Sequence, residues 1–396
     1  MAFDFDIVTD RRGTGCEKWN VRDGELPMWV ADMDFPTAPA VREVIEAKAA
    51  HGIFGYSACP DEWYDAYCGW WKDRHGLDMK QEWLVFVTGV IPAISTALRR
   101  LTAPAEKVAV LTPVYNIFFN CILNNGRVPL EIPLALDRGD DGRLRYSIDW
   151  DAFEKGLADP QTSLLIFCNP QNPTGKIWDR ETLARVGELC KKYGVTVLAD
   201  EIHCDLADPG RGYVPFASVN EVNRAISVTC IAPTKAFNLA GIQTAAIAVP
   251  DPFLRHKMWR ALNTDDVAEG NAFAYEAAAA AFTKGGEWLD ALNAYIRANK
   301  DRVDEFLAAE IPEIESLPSE STYLMWIRVG DIAEDSEEFC SFLREKTGLF
   351  VCPGTWYHGD GKKWFRLNVA CPRALLEDGL GRLKRGVEAW KNARSR

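Results

Sequence analysis

Short apolar runs alternate with helix-length amphipathic segments between residues 84 and 250 of this 396-residue chain. Near-continuous apolar strands separated by helices are typical of a largely parallel sheet that is covered on both faces. Ligands bind such sheets at the carboxyl ends of the strands, so the residues just after each run are the first candidates for a site. The runs are residues 84–88, 108–112, 164–168, 195–199, 226–231 and 245–249, and the helical patterns between them include residues 92–101 and 180–193.

The pattern changes after about residue 285. A long charged helical pattern at 288–309 is followed by strand-like runs at 322–328 and 364–368, with helical patterns at 336–347 and from Arg373 onward. A chain of this length exceeds the usual size of a single core, so two packed lobes are expected. The sequence predicts an N-terminal segment (1–48) that packs with a small α+β domain (286–396), and a large domain between them (49–285).

The charge and residue content exclude several classes of protein. The net charge is −12, and because a nucleic-acid partner requires a basic face, none is expected. No stretch approaches 18 consecutive apolar residues, and residues 1–10 lack the apolar segment of a signal peptide, so we expect no membrane partner. The eleven cysteines form no Cys-x-x-Cys pair and the five histidines show no metal-ligand spacing. We therefore expect a cytoplasmic protein with reduced thiols and no metal.

Two of the segments that follow apolar runs contain turn residues. Gly89 precedes a helical pattern, and the free N–H groups and dipole of a helix N-terminus suit a phosphate. Residues 168–175 read Cys-Asn-Pro-Gln-Asn-Pro-Thr-Gly, and the two Asn-Pro steps fix an extended loop that would hold the amide of Asn172 rigidly. Each segment is also compatible with an ordinary structural turn.

Two other segments place charged side chains directly after apolar runs. A carboxylate at Asp200 is unfavourable there unless it meets a cation or hydrogen-bond donors, although a helix cap would also explain it. Lys235 has little compensating acid nearby, and a desolvated lysine has a depressed pKa that makes it competent to form an imine. A surface lysine whose stem packs on apolar residues is the alternative.

The chain carries, in this order, the turn at Gly89, Asn-Pro-x-Asn-Pro-Thr-Gly, Asp-Glu, and Thr-Lys followed by Gly241. This order of motifs resembles the fold-type I pyridoxal-phosphate (PLP) enzymes, the aspartate aminotransferase superfamily. The resemblance covers nearly the whole chain. It implies an α/β fold of the PLP-dependent transferase type, with a mostly parallel seven-stranded sheet in the large domain and a smaller α+β domain. Residues 27–35, 200–203 and 365–373 further resemble the MalY/PatB group of bacterial cystathionine β-lyases, or C–S lyases.

The resemblance implies roles for individual residues. Lys235 would hold PLP as an imine and take the Cα proton of the substrate, and Asp200 would pair with the pyridine nitrogen. Asn172 would donate to the phenolic oxygen of PLP, and Arg366 would bind the substrate α-carboxylate through a bidentate pair. The other implied residues are Tyr115 stacked on the ring with a catalytic role, Gly89, Val90 and Thr234 at the phosphate, His203 at the cofactor, Ala31 and Asn172 at the substrate, and Tyr56 at the phosphate of the neighbouring subunit in a homodimer.

Two positions depart from the aminotransferase pattern. His203 stands where those enzymes have a tyrosine that donates to the phenolic oxygen of PLP, and Gln243 stands where many of them have an arginine for the phosphate. The resemblance therefore implies that neutral donors bind the phosphate. Both departures suit the lyase group without proving the reaction.

Three functions are compatible with the sequence. The first is a PLP-dependent C–S β-lyase that converts cystathionine or cysteine-type amino acids to a thiol, pyruvate and ammonia. The second is an aminotransferase, which shares the first deprotonation at Cα and differs in the orientation of the reacting groups. The third is a regulatory binding protein that retains lyase activity, since Lys235, Asp200, Asn172 and Arg366 are all present.

Overall fold

The computed structural model describes residues 3–330 and 332–394, so the ends of the predicted N-terminal segment and of the predicted small domain lie outside the described residues. The strands are β1 (Leu26–Pro27), β2 (Leu84–Val87), β3 (Lys107–Thr112), β4 (Val128–Arg138), β5 (Leu144–Ile148), β6 (Thr162–Cys168), β7 (Thr196–Asp200), β8 (Ser227–Ile231), β9 (Ala245–Ala248), β10 (Glu315–Ser316), β11 (Leu324–Arg328), β12 (Leu349–Phe350), β13 (Cys352–Pro353) and β14 (Trp364–Asn368). The helices are α1 (Pro39–His51), α2 (Asp61–His75), α3 (Val90–Leu101), α4 (Ile117–Asn124), α5 (Trp150–Leu157), α6 (Arg180–Tyr193), α7 (Glu221–Ile226), α8 (Pro252–Thr264), α9 (Ala274–Lys284), α10 (Gly286–Glu310), α11 (Ser336–Thr347) and α12 (Arg373–Arg394).

The large sheet has the strand order β2-β9-β8-β7-β6-β3-β4-β5. The four pairs from β8 to β4 are parallel, whereas β9 runs antiparallel to both β8 and β2. Two successive reversals give β2 the same direction as β8. The carboxyl ends of β2, β3, β6, β7 and β8 therefore meet at one edge of the sheet, which is the arrangement that places loops from distant parts of the chain around one site. The predicted α/β class with a mostly parallel sheet is confirmed.

The large sheet has eight strands, one more than the expected seven, and β5 lies at its edge beside β4. The long strand β4 pairs with β3 over Val128–Pro133 and with β5 only beyond that point. Each half of β4 thus has a partner on one side only, and a strand edge without a ladder partner tolerates residues that have no N–H, such as Pro129 and Pro133. The pattern of apolar runs does not predict β4, because its residues are largely exposed or only partly buried.

A second, antiparallel sheet lies in the C-terminal part of the chain, with the order β10-β11-β14-β13. Residues near the N-terminus join this region, because β1 pairs with β12 and the Asn368 N–H donates to the Met28 carbonyl. Helix α10 begins at the predicted boundary, whereas α1 runs across the predicted boundary at residue 48. The division into domains remains a prediction.

Buried side chains form the core on both faces of the large sheet and under the C-terminal sheet. Five of the fourteen tryptophans are among the largest fully buried side chains: Trp63, Trp71, Trp178, Trp326 and Trp364. Within residues 3–330 and 332–394, no helix is long and apolar enough to cross a membrane.

Candidate active site

A cavity of about 280 Å³ lies at the carboxyl edge of the large sheet. The strand ends, the N-terminus of α3 and the segment after β1 together form its wall. Ten residues singled out from the sequence line it: Ala31, Gly89, Val90, Tyr115, Asn172, Asp200, His203, Thr234, Lys235 and Gln243. Residues that the sequence analysis did not assign also line it, among them Cys168 and Ile202.

The amine of Lys235 projects into this cavity from the loop after β8. Its Nζ donates a hydrogen bond of 2.7 Å to the carbonyl oxygen of Ala31. Burial lowers the pKa of Lys235 to about 8, and the positive charge of Arg366 contributes to the same shift. Because the neutral amine is the nucleophilic form, this environment makes a competent nucleophile at neutral to mildly alkaline pH.

The carboxylate of Asp200 ends β7 and is buried, with 4% of the residue exposed. Its Oδ1 accepts one hydrogen bond of 3.2 Å, from the backbone N–H of Ile202. Burial raises the pKa of Asp200 to about 6. The second oxygen has no hydrogen-bond donor among the described residues, so the site is suited to a cationic N–H group placed in the cavity.

Arg366 lies on β14 behind Asn172, and both side chains are buried. Its Nη1 donates to Asn172 Oδ1 at 3.0 Å, and its Nη2 donates to the Trp29 carbonyl at 2.9 Å. Because the amide oxygen of Asn172 already accepts from Arg366, the Nδ2 group of Asn172 is left to donate to a group bound in the cavity. The buried Nε of Arg366 has no hydrogen-bond partner in the described part of the chain, which leaves capacity to bind an anion.

His203 is buried beside the cavity, and its Nδ1 has no hydrogen-bond partner among the described residues. Burial lowers the pKa of His203 to about 3, and the charges of Lys235 and Arg366 act in the same direction. The imidazole is therefore neutral at physiological pH, with one ring nitrogen able to donate and the other able to accept. An unpaired polar atom facing a cavity marks a position that a bound group can satisfy.

Neutral hydrogen-bond donors also line the cavity. Helix α3 begins at Val90, directly after Gly89, so its first N–H groups and the positive end of its dipole face the cavity. The hydroxyl-bearing Thr234 and the amide-bearing Gln243 line the same space. This combination suits a phosphate group bound without an arginine, as the sequence analysis predicts.

The segment 27–35 is held in place by three side chains for which the sequence offered no role. Asn368 Nδ2 donates to the carbonyls of Val30 (2.6 Å) and Asp32 (2.7 Å). Tyr323 donates its hydroxyl to the Ala31 carbonyl at 3.0 Å, the same oxygen that binds Lys235. Asn238 bonds to the backbone of Met33 from the loop that carries Lys235.

Tyr56 does not reach this cavity within the chain. Its side chain is fully exposed and lies in a separate surface depression of about 590 Å³ that also contains Phe54 and Phe273. This depression includes Gly241 and Ile242, which adjoin cavity residues in the sequence. One chain therefore leaves Tyr56 without a contact to the residues around Lys235.

The sequence and the fold were compared with known proteins. The family model for aminotransferase class I and II matches residues 27–383. Cystathionine β-lyase PatB of Bacillus subtilis is 41% identical over 96% of this chain and 98% of its own length, and protein MalY of Escherichia coli is 32% identical over 98% and 99%. The crystal structure of cystalysin from Treponema denticola, which contains a pyridoxal 5′-phosphate cofactor, has a TM-score of 0.93 and 29% identity, over 98% of this chain and 100% of its own.

These similarities extend over nearly the whole chain, and the family model includes every residue of the cavity wall named above. The predicted resemblance to the fold-type I PLP enzymes and to the MalY/PatB group is confirmed. The chain belongs to the aminotransferase class I and II family, in the group that contains PatB and MalY.

Proposed function

We propose that this protein is a PLP-dependent C–S β-lyase that cleaves cystathionine or cysteine-type amino acids to a thiol, pyruvate and ammonia, with water consumed. The observation that carries the proposal is the amine of the half-buried Lys235, with its lowered pKa, facing the same cavity as Asp200 and Asn172. The relatives support it, since PatB is named a cystathionine β-lyase and the cystalysin structure contains PLP.

The residues of the cavity fit this cofactor. The unpaired Asp200 oxygen suits the protonated ring nitrogen, the free Nδ2 of Asn172 suits the phenolic oxygen, and His203 offers a neutral ring nitrogen beside it. Tyr115 follows β3 and would cover the ring face. The phosphate would be held by the N–H groups of Gly89 and Val90 and by the Thr234 hydroxyl.

When bound, PLP supplies an electron sink that stabilises negative charge at the substrate Cα. Lys235 would hold the cofactor covalently and, once its amine is released, remove the proton from Cα. The Ala31 carbonyl, 2.7 Å from Nζ, provides a resting position for that amine. After it has taken the proton, the same amine can deliver it to the departing sulfur, so that one side chain acts as base and then as acid.

Arg366 would bind the α-carboxylate of the substrate. Its guanidinium is buried and donates to two carbonyl oxygens and, at 3.7 Å, to the Cys352 sulfur, so its positive charge has no carboxylate partner among the described residues. The Asn172 amide oxygen and the Trp29 carbonyl fix the plane of the guanidinium, which orients the substrate for proton removal at Cα. Ala31 lines the cavity and would contact the substrate.

A direct assay distinguishes elimination from transamination. Purified holoenzyme incubated with L-cystathionine should release pyruvate and a free thiol with no 2-oxo acid added. The same enzyme offered an amino acid without a leaving group at Cβ and a 2-oxo acid should show little amino transfer. If turnover requires a 2-oxo acid, the aminotransferase interpretation replaces this one.

We infer further that the protein acts as a homodimer in which Tyr56 reaches the phosphate of the neighbouring subunit. The support is an exposed apolar loop, with Ile53 69%, Phe54 56% and Tyr56 102% exposed, which a second copy would cover. Mixing Tyr56→Phe and Lys235→Ala chains should form hybrid dimers with one intact site. If mixed samples have no more activity than the separate variants, Tyr56 does not act in the partner's site.

A cytoplasmic location is part of the same proposal. Every cysteine of the chain is unpaired in the structure, and eight of the eleven are buried. Unpaired thiols in this number are typical of a reducing compartment. Fractionation of cells that express the protein should recover the activity with the cytoplasmic markers, and recovery with an oxidising compartment would contradict the inference.

A further inference from the structure

A second cavity, of about 370 Å³, lies where the end of α2 meets the turn after β7. His75 is the last residue of α2, and Cys204 and Asp205 follow the cofactor-site residue His203 in the turn. None of these three residues lines the cavity of Lys235. The proposed lyase reaction gives this cavity no role.

The three side chains bring different ligand atoms to one point. A ring nitrogen of His75, the Sγ of Cys204 and a carboxylate oxygen of Asp205 all lie within 4.8 Å of one another. Nitrogen, sulfur and oxygen donors in one cluster are the ligand types that zinc accepts. Because His75 is far from the other two in sequence, ligand spacing gave no sign of the cluster.

The hydrogen bonds of Asp205 leave one oxygen without a partner. Its Oδ1 accepts from Trp70 Nε1 at 2.8 Å and contacts His75 Nε2 at 2.8 Å. The Oδ2 atom is buried and has no hydrogen-bond partner among the described residues. With 4% of the residue exposed, water does not readily compensate this oxygen, so a cation would remove an unfavourable unpaired acceptor.

The cations that line this cavity already have carboxylate partners. Arg74 pairs with Asp290 at 2.6 Å, and Arg211 pairs with Glu320 at 3.7 Å. Neither is therefore committed to Asp205, whose carboxylate contacts a ring nitrogen of His75 at 2.8 Å. The cavity has room for an ion and for a water molecule as an additional ligand.

We propose that His75, Cys204 and Asp205 form a zinc site whose fourth position is open to the cavity. Ligand atoms at about 2.0–2.3 Å from a tetrahedral zinc ion lie about 3.3–3.8 Å apart, so small side-chain rotations would bring these three onto one ion. The ion would bind His75 through the lone pair of an unprotonated ring nitrogen and would displace the Cys204 thiol proton to solvent. It would fasten α2 to the turn that follows Asp200 and His203, and this role goes beyond the proposed lyase function.

Equilibrium dialysis of the holoenzyme against micromolar zinc chloride, followed by metal analysis, tests the site. Wild-type protein should retain one zinc ion per chain, whereas Cys204→Ser and His75→Gln should retain at least about tenfold less at the same free zinc concentration. The control is Cys68→Ser, which removes a partly buried thiol outside the cluster and should bind like wild type. X-ray absorption should show one sulfur ligand at about 2.3 Å.

The outcomes separate this proposal from the lyase function. Zinc loss in both ligand variants, with Cys68→Ser unaffected, supports the site whether or not the protein cleaves cystathionine. No retained zinc in wild type overturns it. Retention that is unchanged in Cys204→Ser or in His75→Gln also overturns the three-ligand site. Circular dichroism of each variant before dialysis establishes that it is folded.

Discussion

Replacing Arg366 with glutamine tests the binding of the substrate carboxylate. The buried guanidinium is held by Asn172 and by the Trp29 carbonyl and has no carboxylate partner in the described structure, so its charge is available to the substrate. Truncating one partner of a buried charge pair costs about 2–5 kcal/mol, which corresponds to about 30- to 5,000-fold in kcat/KM. Because no carboxylate of residues 3–330 or 332–394 pairs with Arg366, we expect a loss in the upper part of this range.

The assay is the steady-state release of pyruvate from L-cystathionine, with bound PLP measured by absorbance in each sample. Arg127→Gln is the matched control, because Arg127 is also buried and its guanidinium bonds to Thr102, away from the cavity. That variant should lose stability and keep kcat/KM. The reasoning is refuted if folded, PLP-loaded Arg366→Gln retains kcat/KM within about threefold of the wild type, since that is less than about 1 kcal/mol.

Borohydride treatment of the holoenzyme should fix the cofactor to the peptide that contains Lys235, and attachment to another lysine would contradict the assignment. Tyr323→Phe removes the hydroxyl that bonds to the Ala31 carbonyl. Because such a hydrogen bond is worth about 0.5–1.5 kcal/mol, kcat should fall by about 2- to 10-fold with KM unchanged. An unchanged kcat would exclude a positioning role for Tyr323. Burial holds the pKa of His203 at about 3, below its ordinary 6.5. As the pH falls below 6.5, the His203 imidazole is protonated only in the unfolded chain, so the folded state loses stability. Between pH 7 and pH 5 the wild type should lose about 2 kcal/mol of unfolding free energy through His203. Urea unfolding of His203→Gln should not show this loss, and equal acid sensitivity of the two proteins would refute the prediction.

The amino-acid sequence determined the sheet and much of the cavity wall. Apolar runs separated by helical patterns require parallel strands, and parallel strands bring their carboxyl ends to one edge. Asn172, Asp200 and Lys235 each follow such a run, so their convergence was predictable without knowing any contact. The apolar pattern does not reveal β4, because pairing on one side at a time leaves this strand partly exposed and tolerant of proline.

Only the tertiary structure decided which distant side chains meet. Arg366 and Asn172 are 194 residues apart, yet one hydrogen bond joins them, and Tyr323 shares the Ala31 carbonyl with Lys235. Contacts of this kind depend on how β11 and β14 of the C-terminal sheet pack against the loops of the large sheet. Local pattern carries no information about that packing, because it is fixed by burial and hydrogen bonding between segments that are remote in the chain.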